Sequence, residues 1–159
     1  MVSPLAATAS LPQLEAALQA SWVRQTAYLG AYQSGNPALG QCYPTSRVVQ
    51  WFYPSLEIAS GQVDTGVSTE AHFWNVDQTL VPPKHLDLTW QQFPAASQVL
   101  DFRILNRHSL GDSPPTIARC KLLLRRVLDR LGSDENGIAT ALVGAFETDV
   151  RSGSYADLG

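Results

Sequence analysis

The chain has little cysteine, little charge and no long apolar run, and each shortage removes a class of explanation. Two cysteines among 159 residues, Cys42 and Cys120, can make one bridge at most, so no disulfide framework holds the fold. They do not form a Cys-x-x-Cys pair, and a structural zinc site lacks its usual ligand spacing. Charged residues make up 16% of the chain and the net charge is −3, with basic residues scattered except for one helical cluster (Arg119, Lys121, Arg125, Arg126 and Arg130) that reads as a solvated face, so no nucleic-acid footprint is expected. No apolar stretch reaches the length of a membrane span. Met1-Val2-Ser3-Pro4-Leu5-Ala6-Ala7 has neither the basic start nor the apolar middle of a secretory signal. The expectation is a soluble, cytoplasmic protein with no nucleic-acid or membrane partner. No glycine-rich phosphate loop and no internal repeat are present.

What is present is enough for one domain with a substantial core. Residues 1–10 are small and polar and read as a flexible N-terminus. Leu11, Leu14, Ala17-Leu18 and Trp22 recur at helical spacing, predicting an amphipathic helix from Leu11 to about Tyr28. Ser34-Gly35-Asn36-Pro37 is turn chemistry. A second helix is expected from about Tyr43 to Tyr53, stopped by Pro54. The period then changes: Leu56–Ser60, the segment around Phe73–Val76, His85–Thr89 and Leu100–Ile104 read as strands. Short links, of which Val81-Pro82-Pro83-Lys84 is the clearest, predict an antiparallel sheet. After Asp112-Ser113-Pro114-Pro115-Thr116 the line Ile117, Cys120, Leu124, Val127-Leu128 and Leu131 marks another strong helix, closed by Gly132. Cys120 lies on its buried line. Residues 132–159 read as an extension, with a short helix suggested by Ile138, Leu142-Val143 and Phe146, then a loose end.

Gly40-Gln41-Cys42-Tyr43-Pro44 is the stretch that carries chemistry. Proline is tolerated in a first helical turn, which places Cys42 at, or just before, a helix N-terminus. Free N–H groups and the positive end of the helix dipole favour a thiolate there. A small buried hydrophobe is the competing account of the same cysteine. A nucleophilic cysteine needs a base and a group that orients the base. His72 opens a strand after the polar loop Asp64–Glu70, where a side chain can be anchored yet reach a cleft. His85 begins the next strand, and Asp87 shares its face by the two-residue period. Alternatively Asp87 lies across from His72 if the two strands pair. His108, in Asn106-Arg107-His108-Ser109, reads as an exposed loop residue. Cys42, His72, His85 and Asp87 together are also a conceivable metal set, although no cofactor or metal is expected.

The order Gly40-Gln41-Cys42, His72-Phe73-Trp74-Asn75 and Asp87-Leu88-Thr89-Trp90-Gln91-Gln92-Phe93 resembles the YunG-like family of small bacterial proteins, over about residues 12–130. It also follows the order of papain-like and transglutaminase-like cysteine enzymes. The resemblance implies an α+β, compact papain-like fold over residues 11–131, with the cysteine helix packed on a small antiparallel sheet and further helices at its flanks. It implies Cys42 as nucleophile, His72 as base and Asp87 as the orienting carboxylate. Gln41 would help the Cys42 N–H to hold an oxyanion, or would only shape the turn, since papain-like proteases carry that glutamine several residues earlier. Trp74 and Asn75 would contact substrate. Tryptophan in such a setting is also a common core residue, and Asn75, a second candidate for orienting His72 after Asp87, lies on the opposite strand face from it. The expected function is thiol-dependent acyl transfer on a small-molecule or peptide amide, by hydrolysis or transamidation. A biosynthetic condensation or cyclisation would use the same residues, and a binding module would keep the fold without the reaction.

Overall fold

A computed structural model of the chain describes residues 9–132. Among them are three α-helices, α1 (Leu11–Ser21), α2 (Cys42–Phe52) and α3 (Pro114–Arg130), and four strands. The strands are β1 (Leu56–Asp64), β2 (Thr69–Asp77), β3 (Lys84–Leu86) and β4 (Gln98–Ile104). They form one antiparallel sheet in the order β3-β2-β1-β4, so the chain folds back to lay its last strand beside the first. The architecture is α+β, as the change of hydrophobic period predicts.

Each helix starts on a chemical signal visible in the sequence. Ser10 caps α1 in a reciprocal box: its Oγ accepts the Gln13 N–H while Gln13 Oε1 accepts the Ser10 N–H. Ser113 caps α3, with Pro114 and Pro115 in the first turn, where no N–H is needed. Gly132, at φ +73°, follows the end of α3. α2 starts at Cys42 itself, with Gln41 as its N-cap. The three helices share one core in which Leu14, Leu18, Val48, Phe52, Leu124 and Leu128 are fully buried. α2 is the central element: it packs against α3 on one side and against β2 and β1 on the other. Cys120 is completely buried in that core, where burial pushes its thiol pKa up to about 12.

The elements differ from the sequence reading where a tertiary contact outweighs the local pattern. The first helix ends at Ser21, not near Tyr28. Trp22 is extended, and its indole N–H donates to Thr45 Oγ1 of α2 at 3.0 Å. Thr26 then bonds through its hydroxyl to both the N–H and the C=O of Val23, fixing a short 3-10 turn that competes with the helix. β1 runs on past Ser60 through Gly61, whose missing side chain makes room: a Cβ there would stand 2.5 Å from the Asp101 carbonyl oxygen and 2.6 Å from the Trp74 ring. β3 is only three residues long, because Asp87 Oδ1 accepts the Thr89 N–H and turns the chain. The short helix read after Ser133 lies outside the described residues. No helix among the described residues is long and apolar enough to cross a membrane.

Candidate active site

The N-terminus of α2, the first half of β2 and the segment after β3 meet at Cys42, His72 and Asp87. His72 is the fourth residue of β2 and does not open it, because pairing with β1 extends the strand back to Thr69 and shortens the expected loop. Cys42 is the first residue of α2 and is half-buried. The first helical bond runs from Thr45 N–H to Gln41 C=O, so the N–H of Cys42 precedes the hydrogen-bonded turn. The β2–β3 register pairs Asn75 with Leu86 and Val76 with His85, so the chain leaving β3 runs back along β2 toward His72. One residue beyond β3, Asp87 Oδ2 lies 2.6 Å from His72 Nε2. Asp87 therefore faces His72, the second of the two placements open to it in the sequence.

His72 is fully buried and enclosed by rings. Trp74 stacks on it at 5.5 Å between centroids, while Phe93 and Trp90 meet it edge-on at 4.7 and 5.9 Å. Burial acting alone would lower its pKa. The hydrogen bond to Asp87, the neighbouring Cys42 sulfur and the Asp87 charge outweigh that and raise it to about 9. Because Asp87 occupies Nε2, the interaction with Cys42 runs through Nδ1. That nitrogen is buried and makes no hydrogen bond of ordinary geometry. The thiol is thus close enough to bias the ring's charge without making a hydrogen bond of ordinary geometry.

The other residues singled out in the sequence do structural work. Gln41 is completely buried, its Oε1 2.8 Å from Thr26 Oγ1 and its Nε2 donating to the Val23 C=O at 3.0 Å. The amide shapes the turn ahead of Cys42 and is not presented to a substrate carbonyl. Asn75 is 2% exposed and donates to the Ser46 carbonyl, tying β2 to α2 on the face away from His72. Trp74 is 4% exposed and donates its indole N–H to His85 Nδ1 at 2.9 Å, so it backs the His72 ring rather than lining open space. His85 is thereby committed to Trp74, and no group of three or more His, Cys, Asp and Glu side chains among the described residues is arranged to hold a metal. His108 is exposed, its N–H bonded to Asn106.

Two groups near the site had no role in the sequence reading. Trp90 and Phe93 belong to the third motif, and their spacing after Asp87 is the signal that a short turn folds back over the histidine. Asn36 Nδ2 donates to the Gln92 carbonyl at 2.9 Å and joins this turn to the loop preceding Cys42. The second group is a buried polar cluster beneath the cysteine. Tyr43 donates its hydroxyl to Asp112 Oδ1, and Arg47 Nε lies 3.5 Å from Asp112 Oδ2, with both charged side chains under 5% exposed. The Tyr43 ring also meets Phe73 edge-on at 4.8 Å. The residues following the cysteine and the histidine therefore touch, which fixes α2 against β2 next to Cys42 and His72. Arg47, one turn after Tyr43 on an otherwise buried helix, is the trace of this cluster in the sequence.

A family model described as YunG protein matches residues 10–132. The chain belongs to the YunG protein family. The match runs from the α1 cap through Gly132 and includes Cys42, His72 and Asp87, so the YunG region coincides with the described fold. Comparison with curated proteins and with solved structures gave no match.

Proposed function

We propose that this YunG-family chain is a papain-like, thiol-dependent acyl-transfer enzyme acting on a small-molecule or peptide amide. The observation that carries the reading is the 2.6 Å contact between Asp87 and His72 Nε2, which leaves Nδ1 to interact with the half-exposed Cys42. With its pKa near 9, the buried ring holds both protons at neutral pH, and in the proposed reaction Cys42 attacks as the thiolate paired with that imidazolium. Cys42 Sγ attacks the amide carbon, and the carbonyl electron pair moves to oxygen, where the Cys42 N–H stabilises it. His72 Nδ1–H protonates the nitrogen as the C–N bond breaks, leaving a thioester on Cys42. Water or an amine then attacks the thioester, His72 Nδ1 takes its proton, and the thiolate departs. Asp87 holds the ring in orientation throughout and offsets its charge.

Complete burial of His72 favours a second reading, a binding module in which the polar trio only stabilises the fold. Alkylation kinetics separate the two. On the enzymatic reading iodoacetamide modifies Cys42 far faster than Cys120, and Cys42→Ala abolishes turnover of a responsive amide while the melting temperature holds. Equally slow labelling of both cysteines at neutral pH would sink the enzymatic reading.

A further inference from the structure

Strand β4 is exposed along nearly its whole length, although it is a full member of the sheet. It stands at the end of the strand order, so its outer edge has no neighbouring strand among the described residues. Val99, Leu100 and Phe102 on it are 43, 57 and 47% exposed. Free edges are normally guarded by proline, lysine or a covering element, because their unpaired N–H and C=O groups invite another strand. The β4 sequence Gln98-Val99-Leu100-Asp101-Phe102-Arg103-Ile104 has no such guard beyond a register shift where Gln62 gives way to Val63.

The ladder to β1 determines which groups face outward. Leu105 N–H donates to the Ile58 carbonyl at 2.8 Å. Alternation along an antiparallel pair then turns the N–H and C=O of Arg103 and Asp101 toward β1, and those of Ile104 and Phe102 away from it; the register shift at Leu100 ends the regular ladder there. Asp101 and Arg103 lie on one face of the strand by the two-residue period, and neither has an ion-pair partner among the described residues.

We propose that β4 pairs with β4 of a second copy of this chain, antiparallel, about a two-fold axis through Phe102. In this register the outward groups of Phe102 bond to those of Phe102 in the second chain, and the Leu100 bulge of each chain comes opposite Ile104 of the other. Asp101 of each chain falls opposite Arg103 of the other, giving two opposite-charge cross-strand pairs. Sliding the axis by one residue either way sets Asp101 against Asp101 or Arg103 against Arg103, so charge selects the Phe102-centred register. The product is a closed isologous dimer with a continuous eight-stranded sheet. It stands independently of the reaction proposed for Cys42.

Sedimentation velocity on the full chain tests this directly. The wild type should pass from monomer to dimer across the micromolar range. Arg103→Asp and Asp101→Arg should each be monomeric, because each places like charges opposite one another. Mixed in equal amounts, the two variants should form a heterodimer, since every cross-strand pair is then complementary. Phe102→Glu supplies a third monomeric variant should either charge reversal fail to fold by circular dichroism. A wild type that stays monomeric overturns the proposal, as do single variants that dimerise like the wild type or a mixture that stays monomeric. Monomeric wild type with strong exchange protection at the Phe102 and Ile104 amides would assign the edge to residues 133–159 instead.

Discussion

Removing the carboxylate from Asp87 should change the charge of His72 at a pH where the wild type is almost fully protonated. Asp87 raises the imidazole pKa both as a hydrogen-bond partner and as a charge, against burial that lowers it. Without Asp87 the pKa should fall by about two units, toward the ordinary value near 6.5. At pH 8 the imidazolium fraction would then drop from about 90% to about 10%, close to a tenfold loss. Asp87→Ala removes charge and hydrogen bond together. Asp87→Asn keeps one acceptor oxygen, for either the ring or the Thr89 N–H, and loses the charge, so the His72 pKa should fall between the other two. The direct assay is proton–carbon NMR of the histidine Cε1–H signals from pH 5 to 10, with His72 assigned from a His72→Gln spectrum. Stability should follow the same ionisation. Because the folded pKa is raised, the stabilisation is fully present below about pH 6.5 and is lost as pH rises through about 9; a shift of this size is worth about 3 kcal/mol. Urea unfolding at pH 6 and pH 10 should show that difference in the wild type and little of it in Asp87→Ala. A wild-type His72 titrating near 6.5, or an Asp87→Ala protein still titrating near 9, would refute the reasoning.

Three further substitutions probe the supports of the site. Gln41→Ala should cost about 2–3 kcal/mol in urea unfolding, because it removes a buried amide and its hydrogen bonds to Thr26 and Val23. Its effect on Cys42 alkylation should be small once the protein is folded, whereas an oxyanion donor would show a large loss of turnover. Gly61→Ala should destabilise by about 1–3 kcal/mol through overpacking against Trp74 and the Asp101 carbonyl, and displacement of Trp74 should move the His72 Cε1–H shift in NMR. Asp112→Ala should cost about 3–5 kcal/mol by removing the carboxylate beside a buried guanidinium, with Asp112→Asn milder because Tyr43 keeps an acceptor; thermal melts at pH 7 would rank them.

The sequence by itself determined the starts and buried faces of the helices, because those depend on neighbours within one or two turns. Pro44 after Cys42, the Ser113-Pro114-Pro115 cap and the Ile117-to-Leu128 line each specify local structure without reference to distant residues. Family membership was legible for the same reason: three short motifs in order survive reading one residue at a time. Tertiary structure decided everything that depends on which side chain a polar atom meets. Asp87 could face His85 or His72 until the short β3 and its Asp87–Thr89 turn carried it back along β2. Gln41 and Asn75 looked available to a substrate, but burial required partners for their amides, and Val23, Thr26 and the Ser46 carbonyl provided them. Trp22 and Thr26 ended a helix that hydrophobic spacing would have continued, since a buried indole N–H and a hydroxyl found better bonds elsewhere. The return of β4 to the outer side of β1 is likewise a matter of long-range pairing, and it left an apolar edge exposed that strand alternation alone does not reveal.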